Sequence, residues 1–158
     1  VILSQEEYIE AVAAHENISY TQAEEKIAQT RAAANADPEQ VVTILKTLKK
    51  TAKGEYALKC SAYLDVLKDS ETGEYLEIIG VNMPAVDMSG PECNATMSGA
   101  IEAEISGTRA TLYCNGGVEY LVASAAVSEK LPGVYVRDGT AGTVFYKYDI
   151  SNIFTLQV

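Results

Sequence analysis

Between Leu58 and Val66 the chain alternates without a break. Leu58, Cys60, Ala62, Leu64 and Val66 share one parity, and Lys59, Ser61, Tyr63 and Asp65 share the other. Successive side chains of a strand point to opposite faces, so this pattern demands a strand with one face buried and excludes a helix. The period returns at the C-terminus, where Val144, Tyr146, Tyr148, Ile150, Phe154, Leu156 and Val158 share a parity. One long bent strand, or two strands broken at Ser151-Asn152, would satisfy it. A strand cannot bury its face alone, so most of the chain must supply partner strands and a facing layer.

The turn signals between these runs suggest how the partners are arranged. Asp69 to Gly73 forms a turn, Glu74 to Val81 a returning strand, and Met83 to Asn94, with Pro84, Gly90 and Pro91, a loop. From Gly99 to Val127 a three-strand meander is expected, with turns at Ser106-Gly107 and at Asn115-Gly116-Gly117. Its register sets Ile105 against Thr108, Ala103 against Ala110 and Ile101 against Leu112, with Glu104 facing Arg109. It then sets Leu112 against Leu121, Ala110 against Ala123 and Tyr113 against Tyr120. After Pro132-Gly133 come a short strand, Val134 to Val136, and an Asp138-Gly139 turn. Six or more short strands separated by turns predict a sandwich or barrel.

The first 36 residues follow a different period. Ser4 and Glu7 have capping-box spacing, and Tyr8, Ile9, Val12 and Ala13 form one helical stripe. Thr21 and Glu24 offer a second box for a helix carrying Ala23, Ile27 and Ala28 and ending near Asn35. Asp37-Pro38 marks a boundary. Beyond it, Val41, Ile44, Leu45 and Leu48 match a helical face, whereas Val41, Val42, Thr43, Ile44 and Thr47 favour a strand, which is the expectation here. The fold class is therefore α+β: a mainly antiparallel β-sandwich or barrel at residues 37–158, preceded by a short helical pair at residues 1–36.

Charge narrows the partners. The formal net charge is −10, and binding phosphate backbones or anionic membranes needs clustered Lys and Arg. The run Lys46 to Lys53 reads as a solvated face, so nucleic acid is not expected as a partner. A membrane partner is not expected either, since no apolar run approaches the ~20 residues of a spanning helix. The chain begins Val1-Ile2-Leu3 without methionine, which fits removal of an upstream segment such as a signal peptide. Three cysteines, Cys60, Cys93 and Cys114, make no C-x-x-C pair, so no zinc or thioredoxin-type site is expected. In an exported protein Cys93 and Cys114 are the disulfide candidates, with Cys60 a buried small hydrophobe.

Candidate chemistry is sparse. His15 is the only histidine and sits late in the first helix, as a surface cation would. Glu102 with Glu104, and Asp65 with Asp69, are paired carboxylates, but on a strand such pairs normally mark the solvated face. Asp69 to Glu74 lacks the spacing of a calcium loop. No cofactor motif is present. Ten tyrosines with two phenylalanines and no tryptophan are unusual. Tyr63, Tyr113, Tyr120, Tyr146 and Tyr148 recur on strands, either as a binding surface or as cross-strand packing.

The Glu6-Glu7-Tyr8-Ile9 helix, the segment Asn17 to Glu24, the alternating Tyr/Thr/Lys strands and the terminal Phe145-Tyr146-Lys147-Tyr148 together resemble small uncharacterised secreted proteins of Gram-positive, clostridia-like bacteria. The resemblance implies export and a β-rich fold, and favours strand at residues 41–50. It implies no activity and no functional residues. The expected role is a non-enzymatic secreted or cell-envelope binding domain with a protein or cell-surface partner. A carboxylate-dependent hydrolase and a membrane-active, toxin-like protein are the alternatives.

Overall fold

A computed structural model describes residues 1–158 as two antiparallel sheets with a helical pair laid on one of them. The first sheet has the order β1-β2-β3-β4-β5 (Ile2–Leu3, Val41–Lys53, Tyr56–Lys68, Tyr75–Gly90, Cys93–Thr96). The second has the order β6-β7-β9-β8 (Ser98–Ser106, Arg109–Ala123, Thr143–Gln157, Val134–Asp138). Helices α1 (Gln5–Glu16) and α2 (Tyr20–Ala33) precede them. The fold is thus α+β with a mainly β-sandwich or barrel body, one sheet curling into a half-barrel. Ile78 N donates to Gly107 O (2.8 Å) and Met97 N to Val86 O (2.8 Å), so backbone bonds join the two sheets along one seam.

The Leu58 to Val66 parity is the inner face of β3, the central strand of its sheet, and all five residues are buried. They meet Ala110, Leu112, Cys114, Val118, Tyr120 and Val122 of β7 and Val144, Ile150, Phe154 and Leu156 of β9 in one core. Residues 41–50 are strand: β2 pairs with β3 along its length. The C-terminal alternation is a single strand that continues through Ser151-Asn152.

Three expectations are corrected. The turn at Asn115-Gly116-Gly117 does not form, because β7 runs straight through it and pairs with β9, Leu112 lying opposite Phe154 and Tyr120 opposite Tyr146. The glycines serve close approach instead. A Cβ on Gly116 would lie 2.2 Å from Ser98 O, and one on Gly99 2.3 Å from Asn115 O, so β6 and β7 can touch there only without side chains. The β6–β7 hairpin is displaced by two residues from the expected register: its turn is Gly107-Thr108, with Ser106 opposite Arg109, Ile105 opposite Ala110 and Ile101 opposite Cys114. A two-residue slip preserves parity, so the buried face was right and the pairing wrong; Glu104 faces Thr111, not Arg109.

The third correction concerns residues 83–94. They are not a loop; β4 continues to Gly90 and turns into β5. Pro84 is accommodated at a bulge, where Ser61 pairs with Ala85 and Tyr63 with Asn82, and Met83 takes a left-handed φ of 47°.

The helical pair forms as the apolar stripes require. Ser4 and Glu7 make the expected capping box, while α2 is capped by Ser19 with Gln22, two residues before the expected Thr21 and Glu24. Asn17, left-handed at φ 54°, ends α1 tightly enough to leave Ser19 extended at the cap. Tyr8, Ile9, Val12, Ala23 and Ile27 form a second, smaller core against Leu3, Tyr63 and Met83. Residues 1–36 are therefore fastened to the β-body, and β1 within them belongs to its sheet.

Candidate functional site

The outer face of the first sheet carries Tyr63 and Asp65 on β3 and Thr43 on β2, and the helical pair covers it. Thr43 and Asp65 lie directly opposite each other. Arg31 continues the buried stripe Ala23, Ile27 of α2 and reaches this pair. Its Nη2 donates to Asp65 Oδ1 (3.1 Å) and Thr43 Oγ1 (2.9 Å), the Thr43 hydroxyl donates to Asp65 Oδ1 (2.7 Å), and Asn82 Nδ2 donates to Asp65 Oδ2 (3.1 Å). All three of Arg31, Thr43 and Asp65 are buried. The guanidinium lies 5.7 Å from the centroid of the Tyr8 ring, which stacks on Tyr63 with centroids 5.9 Å apart. Burial, with Asp65 close by, pushes the Tyr8 phenol well above its ordinary value, so it stays protonated.

Beside this network lies a small cleft of about 130 Å³ between Tyr8, Val12 and Glu16 of α1, Lys26, Ile27 and Thr30 of α2, and Asp65, Asn82 and Met83 of the sheet. Its two carboxylates each have a cation: Asp65 has Arg31, and Glu16 has Lys26 at 2.5 Å. Both oxygens of each carboxylate are occupied by donors from neighbouring elements, and the network acts as the clasp between helices and sheet. Sequence reasoning missed it. The available signal was a charged residue, Arg31, recurring on an apolar helical stripe.

The other predicted residues disperse. Glu102 and Glu104 are exposed on the edge strand β6, and Glu104 accepts a bond from Tyr113 Oη (3.1 Å). Asp69 lies in the β3–β4 turn, where its Oδ1 accepts from Glu71 N (2.8 Å) and Thr72 N (2.7 Å). His15 is exposed near the end of α1. Of the five tyrosines, Tyr63 lies under α1, Tyr113 is on the outer face of the second sheet, and Tyr120, Tyr146 and Tyr148 have the inner parity of β7 and β9. Tyr120 is buried, its hydroxyl bonded to Pro132 O, and it packs on Tyr146 at 6.1 Å between centroids. They do not make one surface. Cys93 and Cys114 are not joined; all three cysteines are buried free thiols.

An exposed apolar surface lies elsewhere, at the free edge of the second sheet. β8 pairs with β9 on one side only. Val134, Tyr135 and Val136 are 68%, 54% and 40% exposed. Next to them on the outer face, Leu121 is exposed and lies opposite Phe145, which lies opposite Arg137. The Arg137 guanidinium sits 4.3 Å from the Phe145 ring centroid and 2.5 Å from a Glu119 carboxylate oxygen. The strand was expected from the sequence, but its position at an edge depends on long-range pairing that local pattern does not encode.

No family model, characterised protein or solved structure matches the chain. No helix is long and apolar enough to cross a membrane.

Proposed function

We propose that the chain is a non-enzymatic, secreted or envelope-associated interaction domain that takes an extended segment of a protein partner along β8. The observation that carries this reading is the one-sided strand β8 with three consecutive exposed apolar residues. An unpaired strand edge presents a row of backbone donors and acceptors to another strand, and natural edges are usually blunted by lysine, proline or inward charge. β8 carries no lysine, proline or inward charge at Val134 to Val136, and its one irregularity, a bulge between Tyr135 and Arg137, leaves Val134 and Tyr135 in regular register with β9. Added strands gain affinity from backbone bonds and selectivity from alternate side chains. Leu121, Phe145 and the Arg137–Glu119 pair supply the flanking surface for that selection. A net charge of −10 favours a segment with basic residues, through steering and complementarity. Export is supported by the resemblance to clostridia-like secreted proteins.

The test is selection from a phage-displayed library of linear peptides on the immobilised full chain. The reading expects enrichment of extended sequences with alternating apolar positions and net positive charge, retained by the wild-type protein but not by a Val134→Lys/Val136→Lys variant. Enrichment that survives in that variant, or no enrichment, contradicts it.

A further inference from the structure

The outer edge of β2 is covered along only part of its length. β1 pairs with it at Thr43 and Ile44, and Val1 closes that pairing by exchanging both backbone bonds with Leu45: Leu45 N donates to Val1 O (2.8 Å) and Val1 N to Leu45 O (2.9 Å). Along an antiparallel strand, the residues that bond towards one edge alternate. Beyond Leu45 the next to do so are Thr47, Lys49 and Thr51, and no strand or loop takes up their amides and carbonyls.

This open edge is the basic part of an acidic protein. Lys46, Lys49, Lys50, Lys53 and Lys59 are five of the 12 cationic residues, whereas residues 46–59 contain only Glu55 of the 22 carboxylates. None of the five lysines forms an ion pair. Lys50 and Lys53 are tied to carbonyls, Lys50 Nζ donating to Ile153 O and Lys53 Nζ to Leu131 O (3.3 Å). Lys49 and Lys59 have no such partner. They lie directly opposite each other on β2 and β3, and like charges so placed are destabilising. Asp87 lies opposite Lys59 on β4, but its carboxylate accepts from the Thr96 hydroxyl (2.7 Å) and pairs with neither lysine.

We infer that the open edge of β2 binds an extended acidic segment of a partner protein, which adds as a strand in line with β1 and sets a carboxylate against Lys49 and Lys59. Thr47, Lys49 and Thr51 supply the ladder bonds, and the lysines supply the selection. Lysine on an edge ordinarily repels other strands. Here that repulsion falls on basic segments and on the same edge of a second copy, and it turns to attraction for an acidic one. Nucleic acid suits the edge less, because the neighbours on the outer face are Thr47, Thr51 and Ser61 rather than aromatic rings on which bases stack. The site lies in the other sheet from β8, has the opposite charge preference and does not depend on the β8 reading.

The test is fluorescence anisotropy of the full chain with a labelled peptide that alternates Glu with Thr and Val. The same peptide N-methylated at every backbone amide keeps the charge and loses the ladder donors. The expected result is saturable binding of the unmodified peptide, at least about tenfold weaker for the methylated one and unchanged in Val134→Lys/Val136→Lys. Lys49→Glu places a carboxylate of the chain itself opposite Lys59, so this variant should unfold at or above the wild-type midpoint and bind the peptide at least about tenfold more weakly. Equal binding of the two peptides would reduce the site to charge attraction and overturn the inference. Undiminished binding by Lys49→Glu, no binding at all, or binding of polyphosphate without binding of the peptide would overturn it as well.

Discussion

Arg31 on α2 and Asp65 on β3 meet between the helical pair and the first sheet, guanidinium to carboxylate at 3.1 Å, with both side chains almost wholly removed from solvent. Thr43 and Asn82 take up the remaining capacity of the carboxylate, while the Arg31 Nε has no partner. A buried pair is a poor source of net stability but a strong constraint on placement, since breaking it strands a charge in the interior. Asp65→Ala should therefore destabilise the protein by about 3–5 kcal/mol, and Arg31→Met should be comparably costly. The Arg31→Met/Asp65→Leu double variant should cost well under the sum of the two singles. Urea unfolding of the four proteins gives the coupling; additive effects would show that the pair does not act as a unit.

The same clasp predicts an order of events. Its loss should release α1 and α2 before the sandwich, because their own core has only five buried residues beside the Arg31–Asp65 contact, against 22 in the main core. In Asp65→Ala, amide exchange in residues 5–33 should accelerate far more than in β3 or β7. Uniform acceleration across helices and strands would contradict it.

Gly116 has Ser98 O in the place a Cβ would occupy, at 2.2 Å. Gly116→Ala must push β6 off β7, and overpacking of this kind typically costs about 1–3 kcal/mol. Gly107→Ala, at φ 59° in the hairpin turn with open space around it, meets no clash but holds an L-residue in the left-handed region, which costs roughly 1 kcal/mol. Thermal unfolding that ranks Gly107→Ala as the worse of the two would show that the turn, not the close approach, matters more.

Acid should loosen α1 through one side chain. Glu7 accepts bonds from the Ser4 amide (2.7 Å) and hydroxyl (2.8 Å), and these hold its carboxyl below the usual carboxylate value of 4.5. A depressed folded pKa means that the stabilisation is complete above the unfolded value and is lost as pH falls through the folded one. Glu7→Gln keeps an acceptor without a titrating charge. The midpoint advantage of wild type over Glu7→Gln should be present at neutral pH and vanish below the folded pKa. An advantage that persists there would remove Glu7 as the cause.

How much of this was legible in the sequence depended on range. Leu58 to Val66 and Val144 to Val158 declared their buried faces because strand parity is local. Ser4-Glu7 declared its cap for the same reason. The pairing of β7 with β9 did not show, because Gly116-Gly117 carries the same letters whether it turns the chain or lets β6 approach. Pro84 and Gly90 looked like loop residues because a bulge can host a proline only when neighbouring strands hold it. Arg31 and Asp65 are distant in sequence, and Asp65 alone had the parity of a solvated strand face. The aromatic surface was sought in five recurring tyrosines, three of which share the sandwich's inner parity, whereas Tyr135, outside that set, is the one at an open edge.

The measurement that bears most directly on function is a titration of a library-selected basic strand peptide into the wild-type protein and into Val134→Lys/Val136→Lys. Both substituted residues are exposed, so the variant should unfold at the same midpoint as wild type. The account predicts saturable binding to wild type and affinity at least about tenfold weaker in the variant, equivalent to roughly 1.4 kcal/mol. Equal affinities would place the interaction away from β8 and contradict it.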